Sequence, residues 1–363
     1  MTCLPEESDD CIGNDMTYFT HRTIINVRDE DVPIFAKSEK SHINVRSFNK
    51  DNSVFREWKQ DTPDDALACI EHDLEHWYIK KLIKKDEQLD ELCDMIRKYA
   101  KELKNLYIGV ASRSKYPQVS ELDFSQWAKE SHVIDSKETQ TAVDLAFTAV
   151  TRQQEGEKEI PGRDAQSLMR YKFLELLVRV SDGKYKDIKN ANSADCYAVL
   201  FEKLLKEVIL EHAPYEPMQS WRESELWTLE VNDVMKVNLD GVRLLYERYW
   251  NPKMKVLPKD NALRLFTTDT ELVSIKDALY CYGLCKMTVI NETKDNKFYD
   301  RMKLTEFVEM IGRVADVKYK TQTMLGLAQK IEFVLDALLG VIGVERQNVT
   351  DVVEEESESD DDY

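Results

Sequence analysis

The sequence predicts an all-α protein built from two related helical lobes. Three observations carry this. Gly 11 and Pro 9 are low counts for 363 residues, of which 33% are charged, and such a composition favours helices over a sandwich or barrel. Apolar residues recur at helical spacing along most of the chain. A helical stretch also occurs twice, 134 residues apart: 173–186 read FLELLVRVSDGKYK and 307–320 read FVEMIGRVADVKYK. Eight of the fourteen positions are identical, among them Phe173/Phe307, Glu175/Glu309, Arg179/Arg313 and Lys184/Lys318. A match of that length marks an internal repeat.

Residues 1–61 show no helical period and read as an extended arm that orders on a partner. Thr62-Pro63-Asp64-Asp65 starts a helix: Thr caps, Pro suits the first helical position, and two Asp face the positive end of the dipole. Leu89, Leu92, Ile96, Tyr99, Leu103, Leu106 and Val110 then step by three and four. That spacing fits a coiled-coil seam of about three heptads, or an amphipathic helix packing within its own domain. Upstream of each matched stretch stand a helix (141–150 and 274–283) and another ending in Leu106-Tyr107 or Leu245-Tyr246. Each copy is thus helix–loop–helix twice over, the topology of an EF-hand pair. The expected division is an arm at 1–61, a lobe at 62–190 with a long entry helix, a helical linker at 191–235, a lobe at 236–345 and an acidic disordered tail at 346–363.

The loops fail the calcium test. A calcium loop needs Asp at position 1, oxygens at 3 and 5, Gly at 6 and Glu at 12. The last loop, Asp295 to Glu306, passes at its two ends and is the one weak candidate. Its positions 3, 5 and 6 are Lys297, Tyr299 and Asp300. In the second loop the same register puts Pro161 at 1, Arg163 at 3 and Lys172 at 12. The remaining loops, SRSKYPQVSELD and YWNPKMKVLPKD, carry Lys, Arg, Tyr and Pro where oxygens belong. No cofactor or metal is expected.

With these motifs in view, the chain resembles a family of EF-hand-like proteins of cilia and flagella, of the type found in ciliates and other protists. The resemblance rests on 168–180 with its echo at 302–314, on Trp221-Arg222 with Leu226-Trp227-Thr228, Glu230-Val231 and Val234, and on Asn238-Leu239 with Val242, Leu245-Tyr246 and Tyr249. It spans about 62–345. It implies a structural part of the axoneme, in the cytoplasm in the broad sense, bound to tubulin in doublet microtubules or to other axonemal proteins. The arm and the grooves between paired helices are the anchors it implies.

Composition narrows the partners. A net charge of −18 argues against nucleic acid and anionic membrane surfaces. Eight of the carboxylates lie in 351–363, leaving −10 for the rest. Ser357 and Ser359 precede acidic residues there and are modification candidates; phosphate would add about −1.5 to −2 each. The seven cysteines are odd in number and scattered, as in a reduced intracellular chain. The longest apolar run, FVLDALLGVIGV, is too short to span a bilayer. His72 and His76 match the HxxEH pattern of zinc peptidases, but no third ligand is recognisable. Cys281 and Cys285 lie one turn apart and read as buried thiols. Neither a phosphate-binding glycine loop nor a nucleophile elbow is present, so no enzyme and no small-molecule substrate is expected. The competing readings are a calcium-responsive adaptor, a coiled-coil adaptor using 89–110, and a zinc hydrolase.

Overall fold

The computed structural model describes residues 46–136, 139–153, 159–187, 197–214 and 218–349. The chain divides into Met1–Ser47 and Phe48–Tyr363, and the elements below belong to the second unit. The arm expected at 1–61 is therefore shorter, because 48–61 belong to the body. Phe55 and Trp58 are buried there. The Val54 N–H donates to Asn232 Oδ1 (3.1 Å), Asp61 pairs with Lys104, and the Arg222 guanidinium lies 4.2 Å from the Trp58 ring centroid. Two aromatic anchors were enough to bind a polar-looking strap. The remainder of the arm, 1–45, lies outside the described residues.

Helix α1, Pro63–His76, starts where its capping residues place it. Thr62 accepts from the Asp65 N–H, and Asp65 accepts from the Thr62 N–H. The long entry helix does not continue. Helices α2, Asp86–Lys98, and α3, Ala100–Ser112, meet at Tyr99, whose φ of −108° and ψ of 25° are not helical. The 89–110 seam is thus split, and Leu89, Leu92, Ile96, Leu103 and Val110 are buried in this chain's own core.

The first copy continues with α4, Glu121–Glu130, α5, Gln140–Thr151, and α6, Arg170–Lys184. Next comes α7, Tyr197–Leu204, which runs on through a π-turn at Leu205–Ile209. The second copy comprises α8, Leu229–Val237, α9, Leu239–Tyr249, α10, Lys259–Arg264, α11, Ile275–Leu284, α12, Leu304–Lys318, and α13, Leu327–Gly340.

The repeat is larger than the four helices expected. In the first copy α7 packs on α6 and α2; in the second α13 packs on α12 and α8. The break residues tie the same elements together. Tyr99, between α2 and α3, donates its hydroxyl to Glu202 of α7 (2.7 Å). Asn238, between α8 and α9, exchanges two bonds with Gln347, just past α13 (3.0 and 2.8 Å). Among the described residues each copy therefore has six helices of six or more residues, α2–α7 and α8–α13, and is closed by the last of them. The segment 191–235 is no linker in its described part. Its Leu200, Phe201, Leu204, Leu205 and Ile209 are buried, and they close the first copy. The faces expected to dock a partner helix are covered by α7 and α13.

The repeated letters have repeated tasks. Phe173 touches Tyr107 and Phe124, with centroids 5.6 and 5.9 Å away; Phe307 touches Tyr246 and Phe266 at 5.7 and 5.9 Å. Lys184 Nζ donates to the Val133 carbonyl (2.9 Å) and Lys318 Nζ to that of Leu272 (2.7 Å). Each pins the loop before the copy's fourth helix. The apolar cluster runs unbroken from Phe55 to Leu339, so the two copies share one core instead of forming separate lobes. No helix among the described residues is long and apolar enough to cross a membrane.

Candidate functional site

The four loops meet in pairs. Val119 and Leu168 exchange two backbone hydrogen bonds (3.0 and 2.8 Å). Strand β1, Leu257–Pro258, pairs antiparallel with β2, Arg301–Met302, with Leu257 opposite Met302. Val119, Leu168 and Met302 are each eighth in their loops. The fourth member, Leu257, shifts the third loop by one residue, from 249–260 to 250–261. Lys255 then stands sixth, with φ of 52°, the left-handed conformation that glycine usually supplies. Tyr107 and Tyr246 anchor the two pairs alike: one hydroxyl donates to the Pro117 carbonyl, the other to that of Met302 (2.8 Å).

The side chains at the expected loop positions are engaged by groups of the protein itself. Glu306 Oε2 accepts from Lys286 Nζ (2.7 Å) and the Lys303 N–H (2.8 Å), and Oε1 accepts from the Met287 N–H (2.9 Å). Both side chains of the Lys286–Glu306 pair are 3% exposed. The ammonium thus lies against the carboxylate of the candidate residue Glu306. Asp295 lies at the end of a short helical turn, Glu292–Asp295, and the chain between the two candidates is wound into a 3₁₀ turn, Asn296–Asp300. Asp123, twelfth in the first loop, accepts from the hydroxyls of Ser114 (2.5 Å) and Ser120. Asn261, twelfth in the third, donates to the Tyr249 carbonyl (2.7 Å). Among the described residues no three His, Cys, Asp or Glu side chains are grouped to hold a metal ion.

His72 and His76 do come together, with ring centroids 4.2 Å apart and the rings stacked. Their Nε2 atoms lie 3.3 and 3.4 Å from Thr293 Oγ1. His72 Nδ1 lies 3.2 Å from Asp73 Oδ1, and His76 Nδ1 lies 2.7 Å from the His72 carbonyl. All four ring nitrogens thus face protein groups. Cys281 and Cys285 are fully buried; burial pushes the Cys281 thiol up to about 12 and the Cys285 thiol well above its ordinary range. Ser357 and Ser359 lie outside the described residues.

One cluster gave no signal in the sequence. Arg170, at the start of α6, reaches Asp73 Oδ2 on α1 (2.7 Å) and the carbonyls of Val289 and Ile290 (2.9 and 2.8 Å). Its backbone N–H donates to Glu292 Oε2 (2.8 Å), and Tyr299 donates to Glu292 Oε1 (2.6 Å). Asp73 and Glu292 are completely buried. Burial would lower the Arg170 pKa, but these two carboxylates outweigh it and hold it well above the ordinary value. Burial raises the Glu292 carboxyl, and Asp73 adds to the effect. The three residues are far apart in sequence, so no spacing rule could have joined them. They sew α1, α6 and the approach to the last loop into one block.

No protein-family model matches the chain, and neither a curated protein nor a solved structure matches it.

Proposed function

We propose that this chain is a non-catalytic structural component of the ciliary axoneme, docked on doublet microtubules or on neighbouring axonemal proteins. In this reading its two copies are EF-hand-like units on one shared core that have lost calcium chemistry and kept the scaffold. The observation that carries the scaffold reading is the pairing of loops at their eighth residues, together with the Lys286 ammonium on Glu306. Paired loops of this kind join two helix–loop–helix units, and a lysine in the cation's place leaves nothing for calcium to switch. The axonemal placement rests on the resemblance of 168–180, 221–234 and 238–249.

Because α7 and α13 cover the helical faces, docking falls to the outer surface and to the arm. Exposed apolar side chains are available for it, among them Leu122, Leu145, Met324 and Phe333. Apolar contact is also what an acidic chain needs on acidic tubulin, since like net charges repel. The test is stepwise salt extraction of axonemes carrying a tagged chain, with calcorimetric calcium titration of the purified protein. Retention through high salt without calcium heat is expected, because screening weakens exposed charge pairs but not apolar burial. Absence from axonemes, or release at low salt together with stoichiometric calcium binding, would overturn the reading in favour of a calcium-responsive adaptor.

A further inference from the structure

The last helix of each copy covers its neighbours unequally. Leu106-Tyr107 and Leu245-Tyr246 set the register between α3 and α9, and in that register Glu102 matches Gly241. Helix α13 packs on α9, and Gly241 permits it: a Cβ there would lie 3.1 Å from Leu339 Cδ2 and 3.5 Å from Val344 Cγ1. The first copy carries a glutamate side chain at the matching point. Its last helix also departs from the pattern. Phe201-Glu202 and Ile331-Glu332 align α7 with α13, but the π-turn at Leu205–Ile209 adds a residue to the run, so Leu210 then matches Leu339. Leu210 is 47% exposed, whereas Leu339 is 1% exposed. Between α3 and the end of α7 lies a slot of about 270 Å³, with Glu102, Leu106, Val110, Trp127, Ile209 and Leu210 in its wall.

We propose that this slot docks an aliphatic segment of a partner polypeptide, whose side chains take the places that Leu339 and Val344 hold in the second copy. The repeat itself names the occupant. One repeat later, the same arrangement of helices fills the matching place with two aliphatic side chains from its own chain, one at the end of a helix and one five residues on. The lining agrees with this. At about 30 Å³ per water, the slot has room for about nine waters, and Leu106, Val110, Ile209 and Leu210 offer them no side-chain hydrogen bond. Replacing such water by an apolar group is favourable. The repeat and its packing carry this inference independently of the axonemal placement.

The break residues mark the same difference. Past α13 the chain turns back along the start of α9, where Gln347 and Asn238 exchange two bonds (3.0 and 2.8 Å). In the first copy the matching residue, Tyr99, bonds Glu202 of α7 itself (2.7 Å). The second copy thus lays a returning segment of its own over α9, and a segment from outside can follow the matching course over α3.

The probe is an acetylated and amidated peptide of this chain's own residues 336–347, DALLGVIGVERQ, titrated into the full ¹⁵N-labelled chain at constant ionic strength. A saturable shift centred on the amides of 102–113 and on the Trp127 indole N–H is expected, with a Kd of about 1 mM or tighter from two buried aliphatic side chains. Leu339→Asp together with Val344→Asp in the peptide should abolish it. In the protein, Leu210→Glu should weaken binding at least about tenfold, because it charges an apolar wall. Val199→Glu, at an exposed position of α7 away from the slot, should leave it unchanged. Should Leu210→Glu fail to fold, Ala213→Glu in the same wall takes its place, with the same direction expected. No saturable shift, equal binding of the charged peptide, or unchanged affinity in the wall variant would overturn the proposal. Shifts at 102–113 that grow with protein concentration without peptide would also overturn it, by giving the slot to a second copy of this chain.

Discussion

Replacing Lys286 by Met takes away the ammonium 2.7 Å from Glu306 Oε2 and keeps most of the side-chain volume. Both partners are 3% exposed, so water cannot easily replace the lost charge. Breaking a buried pair from one side costs about 3–5 kcal/mol, because the remaining ion is stranded. Glu306 keeps two backbone donors, from Met287 and Lys303, which places the expected loss near the lower end, at about 3 kcal/mol. With a urea slope of about 3 kcal/mol/M, the midpoint falls by about 1 M. Adding Glu306→Gln to Lys286→Met removes the stranded charge and leaves an acceptor for one of those two donors, which bind different carboxylate oxygens. The double variant should therefore recover about 1 kcal/mol, and the interaction energy follows once the Glu306→Gln single variant is subtracted as well. Equilibrium urea unfolding of the four proteins measures all of this. A loss below about 1 kcal/mol in Lys286→Met, or no recovery in the double variant, would refute the claim that this lysine neutralises the loop.

Gly283→Ala tests the junction between the copies: an added Cβ would meet Ser112 Oγ at 2.3 Å, Ser112 Cβ at 2.8 Å and Tyr116 Cδ2 at 2.9 Å. Overpacking should destabilise by about 1–3 kcal/mol despite alanine's better helix propensity, whereas Gly340→Ala, which meets nothing within 4 Å, should be neutral or stabilising in the same urea assay. Glu292 has its carboxyl raised by burial from an ordinary value of 4.5, so the folded state holds the proton more tightly than the unfolded chain. Its contribution to stability is present below pH 4.5 and is lost as pH rises through the folded-state value. Glu292→Gln should remove that decline from a series of unfolding free energies against pH, and an unchanged decline would contradict it. Cys69, Cys281 and Cys285 are buried, with the Cys69 thiol raised to about 11 and that of Cys281 to about 12. Peptide mapping after brief thiol labelling should find these three unmodified in the folded protein and modified in urea.

Much of the helical layout was legible beforehand because its causes are local. A Thr-Pro-Asp-Asp start, apolar spacing and a repeated FxEx₃RV pattern each act over one or two helical turns. They place α1, α5, α6, α11 and α12 without reference to the rest of the chain. The register of three loops followed from the same local counting, since Val119, Leu168 and Met302 all lie in the loop pairings. The third loop was misplaced by one residue because only its strand partner, Met302, sets the register.

What the sequence determined by itself is a helical chain with a twofold internal repeat. The tertiary structure alone decided that α2 and α7, and likewise α8 and α13, close each copy, that the two copies share a single core, and that 48–61 are strapped to it. The reason is physical. Periodicity tells which face of a helix is apolar, but not which of several apolar faces will cover it. The Arg170–Asp73–Glu292 cluster and the Lys286–Glu306 pair follow from that choice, since each brings together charges that only a specific packing makes neighbours.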